Sequence, residues 1–361
     1  MSELRQLYRK IQFDMPDSIA KVEAIKDGIR LADQHNEIEY GFKFRMELIE
    51  DAAYCGIYSD VRDAAGAMGW IFKKIDENCT EFTYSHSDII DLLQWICRWL
   101  PLYPEITLEQ IDRLLEDLKK RMSEDGYDLR FYHEALMVAT LLTDQSERAA
   151  EAYKLYRKKG YADFVDCSDC IGCRYIKYLR YAGRHKEAMK EGKAMVYPGT
   201  CNMNPKTAYN ELLASAVENE DYEDIDDFQQ KAYKMIARDA YFTDFIGYHI
   251  QYFAHKDPAK GLNLYTKHLP WTLARNRFPM ALYDFNMGAA VLFKTLLKTR
   301  KSFKAELDKR FPLWSEDGKH DIKAFMEYYY NEAAETAALF DKRNGTDYFK
   351  RKLDRLFKTG E

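Results

Sequence analysis

Apolar residues recur along this chain at three- and four-residue spacing almost from end to end, and period-two alternation bounded by turn residues is nearly absent. In 36–55, for example, Ile38, Phe42, Met46, Ile49 and Ala53 share one helical face, while Glu39, Lys43, Glu47 and Glu50 lie largely off it. The pattern predicts an all-α fold. Short polar, Gly or Pro breaks interrupt it at Pro16-Asp17, Cys55-Gly56, Pro101 to Pro104, Asp125-Gly126, Thr143 to Gln145, Lys159-Gly160, Ala182-Gly183, Pro198-Gly199, Asn219 to Asp221 and Asp257-Pro258. They come too often for the long helices of a bundle.

The clearest unit is Tyr178 to Met195, where Gly183 marks a turn between two amphipathic runs and Ala188 and Ala194 stand where neighbouring helices would approach closely. Comparable turns fall near 57, 104, 144, 183, 220 and 256, so the later intervals settle at 40, 39, 37 and 36 residues. Such spacing predicts degenerate helix-pair repeats of the tetratricopeptide kind, about seven pairs stacked into a right-handed superhelical solenoid with a concave inner face. The array is expected over 1–276, with an insertion near 76–87. Residues 277–361, with helices expected over 280–297, 319–340 and 346–358, read as a helical C-terminal cap continuous with it.

Composition narrows the classes. The 361 residues carry 54 basic and 59 acidic side chains, a net charge of −5, so no global field favours nucleic acid or anionic lipid. The N-terminal run M-S-E-L-R-Q-L-Y-R-K lacks an apolar signal core, and seven Cys, an odd number, fit a reducing compartment, so a cytoplasmic location is expected. The eight His are scattered, and the sequence holds no H-E-x-x-H, G-x-S-x-G, P-loop or G-x-G-x-x-G motif. Catalysis has no handle in the sequence.

From Cys167 onward the local sequence becomes more specific. D-C-S-D-C (166–170), Y-L-R-Y-A-G-R-H-K-E-A (178–188), G-T-C (199–201), I-G-Y-H-I-Q-Y-F-A (246–254), G-L-N-L-Y-T-K-H-L-P-W (261–271) and F-D-K-R-N-G-T-D-Y (340–348) occur in order. Together they make the chain, over roughly 90–355, resemble a group of bacterial tetratricopeptide-repeat proteins without an assigned activity. The resemblance implies a helical-repeat fold and no reaction.

C-S-D-C-I-G-C sets Cys167, Cys170 and Cys173 at two consecutive C-x-x-C steps, a spacing that brings thiolates together on a soft cation such as Zn²⁺. A hairpin turning at Gly183 would return the 197–204 loop, with Cys201, to the same edge. The resemblance carries Cys167, Cys170 and Cys201, with Cys173, Asp169 or water left to complete a site. The plainer reading is three small residues at a packing point, and a thiol redox switch is a third. Cys55, Cys79 and Cys97 read as packing residues.

Tyrosine is abundant, at 27 copies. Its rigid face and polar tip suit a groove that grips a peptide, which nominates Tyr175, Tyr178, Tyr248, His249 and Tyr252, against a default in which most tyrosines pack between helices. The acidic run 218–227 reads as a solvated helix cap, and the basic stretches Lys294 to Arg310 and Lys342 to Lys358 as helix-surface charge. The leading expectation is a non-enzymatic scaffold that binds a protein or peptide in its groove, with homo-oligomers open and no nucleic-acid or membrane partner. A peptide-responsive regulator of tetratricopeptide type is one alternative. A metal-dependent enzyme or redox sensor at Cys167, Cys170 and Cys201 is the other.

Overall fold

The computed structural model describes residues 3–55, 58–157, 167–195, 201, 205–274 and 278–358, with backbone only at 54, 55, 168 and 195. The breaks expected at Gly56, Lys159-Gly160 and Pro198-Gly199 lie outside the described residues. Those described are all-helical apart from one two-stranded sheet, and none of their helices is long and apolar enough to cross a membrane. The chain divides into two compact units.

The first unit comprises Met1–Pro101, Glu109–Ala139 and Tyr156–Asp163. It holds α1 (Glu3–Phe13), α2 (Ile19–Gln34), α3 (Ile38–Glu50), α4 (Val61–Asp76), α5 (His86–Trp99), α6 (Leu108–Glu124) and most of α7 (Arg130–Leu142). The 3.6-residue period buries Ile25, Phe44, Ile49, Val61, Met68 and Ile71 completely. On α3 the buried stripe runs through Gly41, Phe44, Arg45 and Leu48 as well as Phe42 and Ile49, leaving Ile38 and Met46 half-exposed. Arg45 is tolerated inside because its guanidinium forks onto Asp33 at 2.8 and 3.0 Å and stacks 4.0 Å from the Trp70 ring.

The second unit comprises Leu102–Leu108, Thr140–Leu155 and Phe164–Glu361. It holds nearly all of α8 (Ser146–Tyr156), then α9 (Ser168–Tyr181), α10 (His185–Met195), α11 (Lys206–Glu218), α12 (Asp226–Ile236), α13 (Thr243–Lys256), α14 (Pro258–Thr272) and α15 (Pro279–Leu297). A strand pair, β1 (Ser302–Lys304) and β2 (Lys319–Asp321), precedes α16 (Ile322–Asn344) and α17 (Tyr348–Lys358). Helix α11 packs on α9 and α10, α13 on α11, α15 on α13, and α16 and α17 on α15.

One turn recurs across the chain. Asn36, Asn78, Gly126, Asp144, Gly183 and Glu220 all take positive φ just after a helix, and the next N–H reaches back five residues, as in Arg184 N–H to Leu179 O at 2.8 Å. This closure satisfies the last carbonyls of one helix and starts its partner. At α10 the close approach is made by Gly192, whose Cβ would fall 2.4 Å from Leu212 Cδ2. Ala188 is buried as expected, whereas Ala194 is exposed, because the buried stripe follows 188 and 192. The tightest crossing joins α13 to α15, where a Cβ on Gly247 would meet Asp284 O at 2.2 Å. Only glycine fits there.

The helices expected near the C-terminus are present, but the segment between them holds β1 paired antiparallel with β2. Phe303 and His320 face inward and their neighbours outward. Phe303 joins Phe293, Phe311, Phe325, Tyr265 and Tyr329 in an aromatic core, with the Tyr265 and Tyr329 hydroxyls 2.8 Å apart.

Candidate functional site

The N-terminus of α9 brings together three of the four nominated cysteines. Cys167 is the cap residue, its sulfur accepting the Cys170 N–H at 3.5 Å, and one helical turn separates the two thiols. Cys201 arrives from a separate segment and places its sulfur 3.4 Å from that of Cys170. All three sulfurs lie within 4.8 Å of one another. Zinc–thiolate bonds of about 2.3 Å set tetrahedral ligands about 3.8 Å apart, so a trio gathered within 4.8 Å is close enough to hold a soft metal ion. Cys167 is exposed and the other two half-buried, which leaves the group open to an arriving ion.

Cys173 does not join them. It lies one turn further into α9, and burial pushes its thiol up to about 12. Asp169 is likewise outside the group, and Cys97 is a packing residue with its thiol directed to Leu114 O. The Cys55 side chain lies outside the described residues.

The nominated groove residues behave differently from expectation. Tyr178, Tyr248, His249 and Tyr252 are all buried. The polar tips of Tyr248, His249 and Tyr252 are engaged by other side chains of the protein, which corrects their assignment to an open groove. Neutral His249 donates from Nε2 to Asn210 Oδ1 at 2.9 Å and accepts at Nδ1 from Gln229 at 3.1 Å. Burial, with His268 nearby, lowers it to about 3. Tyr252 donates to Asp226, and Tyr178 stacks 4.1 Å from Tyr153. Tyr175 alone is half-exposed, its hydroxyl 3.2 Å from Glu187.

The C-terminal half of α9 contributes to a charged cluster that sequence reasoning missed. Arg180 donates to Glu211 at 2.7 Å, to Glu218 at 2.8 Å and to the Tyr248 hydroxyl at 3.2 Å. Lys352 of α17 reaches Glu218 at 2.9 Å, Asp284 at 3.3 Å and the same hydroxyl at 2.8 Å. All six residues are buried. Burial alone would raise the Glu218 carboxyl, yet the Arg180 and Lys352 charges overcome it and hold the group down to about 2. Glu218 and Lys352 had been assigned to solvated charge. One signal was present in the sequence, since Phe349, Lys352, Leu353 and Leu356 repeat at helical spacing and put Lys352 on the apolar stripe of α17.

No family model and no curated protein matches this sequence, so its function has to come from the geometry.

Proposed function

We propose that this protein is a tetratricopeptide-like helical-repeat binding module in which Cys167, Cys170 and Cys201 hold a zinc ion as a structural clamp. The observation that carries the metal reading is the convergence of three sulfurs, from two separate segments, within 4.8 Å. A clamp there ties α9 to the segment of Cys201, which precedes α11, and so fixes one helix pair against the next. Among the described residues the group supplies three ligands, since Cys173 and Asp169 lie outside it.

The repeat reading is supported by turns of one construction at Asp144, Gly183 and Glu220 and by the succession of α9, α11, α13 and α15, each packed on the one before. Solenoids of this kind offer extended surfaces to proteins or peptides, and Tyr175 is the nominated aromatic still accessible to such a partner. Elemental analysis of the purified protein tests the clamp. About one zinc per chain supports it, and a metal-free protein in which Cys167, Cys170 and Cys201 all react with a thiol reagent contradicts it.

A second reading rests on the 3.4 Å separation of the Cys170 and Cys201 sulfurs. An oxidant that removes two electrons and two protons would join them as a disulfide. Mass mapping after mild peroxide treatment distinguishes this switch from the clamp, because bound zinc protects both thiols.

A further inference from the structure

Beside the buried cluster, a cavity of about 520 Å³ opens between the end of α9 and one face of α17. It is of the size that takes small organic ligands. Arg180, Tyr181, Glu218 and Lys352 line it, and further out Arg351, Arg355 and Lys358 project from successive turns of α17. Of its five Arg or Lys side chains, Arg180 and Lys352 are paired with the buried carboxylates and Arg351 with Asp347 at 2.6 Å, which leaves the positive charges of Arg355 and Lys358.

The carboxylates are already committed. Glu218 is held by Arg180, Lys352 and Tyr248, and Asp354 accepts from Lys350 at 2.6 Å and Tyr330 at 3.3 Å. Arg355 and Lys358, by contrast, form no salt bridge among the described residues. Arg180 spends Nε and Nη1 on protein acceptors, which leaves Nη2 at the cavity without one. The end of a helix already attracts cations through its dipole, but that effect is confined to the last turn and does not gather Arg180 from a different helix. The rings of Tyr181 and Tyr348 add flat, half-buried walls.

From this arrangement we infer that the cavity is a binding site for a small phosphorylated organic molecule. Its phosphate is held by Arg355, Lys358 and Arg180, and its body lies against the tyrosine rings. Guanidinium groups match phosphate oxygens in a fork, and aromatic faces receive a planar or apolar body. The site is independent of the thiol trio, at the other end of α9.

Calorimetric titration of the full chain with AMP, ribose 5-phosphate, adenosine and inorganic phosphate tests it. AMP or ribose 5-phosphate should bind saturably and adenosine should not, and weaker binding of inorganic phosphate shows what the organic body adds. The double variant R355Q/K358Q, altered only at exposed positions, should keep the wild-type melting temperature and lose at least about tenfold in affinity. The charge-reversed K358E should lose affinity as well. Absence of saturable binding by both phosphorylated organic compounds, or equal affinity in the wild type and R355Q/K358Q, overturns the inference.

Discussion

The two ends of α9 are finished in opposite ways. At its N-terminus three polarisable thiols crowd together, partly open to solvent and close enough to hold a metal ion. Toward its C-terminus Arg180 is buried against two glutamates and a tyrosine, in a cluster that also includes Asp284 and Lys352. A closed charge cluster contributes uniqueness to the core, and removing one member strands the rest. On the proposed reading, the thiol group contributes only once a metal ion binds. Stability should therefore depend on the charge cluster without any ligand, and on the thiol group only through the proposed metal.

The sharpest way to break this contrast is to delete a cation from the closed cluster. Lys352→Met should leave Glu218 and Asp284 without their shared partner and cost about 3–5 kcal/mol in denaturant unfolding, where a cost near zero would mean the cluster is not closed. Gly247→Ala should cost about 1–3 kcal/mol or more, since the added carbon meets the α15 backbone and no side chain can move aside.

Acid titration separates the buried groups from the thiols. His249 and His268 stay neutral in the fold, held down to about 3 and about 4 by burial, whereas the unfolded chain protonates both near 6.5. The unfolded state thus binds up to about two more protons, so stability should fall as pH drops from about 6.5 toward about 4. Glu218 has the carboxylate sign: its contribution is complete above about 4.5 and is lost as pH falls toward about 2. Melting temperatures across this range check both, and His249→Gln should remove about one proton from the uptake. The smallest effect belongs to Cys173→Ser, which should cost about 1–2 kcal/mol through a buried hydroxyl while leaving zinc content unchanged.

Periodicity made the helices legible, and turn residues such as Gly183 made their pairing legible. The two strands escaped because each is only three residues long, too short to establish an alternation against surrounding helical spacing. The trio of cysteines was visible because its members are few and close in sequence, and the hairpin at Gly183 pointed to Cys201. The fate of the tyrosines was not visible. Whether the Tyr248 hydroxyl faces a groove or a carboxylate depends on Glu218, Asp284 and Lys352, brought from 30, 36 and 104 residues away. Charge runs misled for the same reason: Glu218 and Lys352 look like solvated neighbours of other charged residues until their partners are in place.

The central claim is that α9 begins at a metal ion. Zinc content measured alongside unfolding midpoint, for the wild type and Cys201→Ser with and without a chelator, tests it most directly. The account predicts about one zinc per wild-type chain, a midpoint lowered by chelation, and a Cys201→Ser protein that has lost the metal and no longer responds to chelator. A wild-type protein purified without metal, unable to take up added zinc and unchanged by chelator, would contradict it.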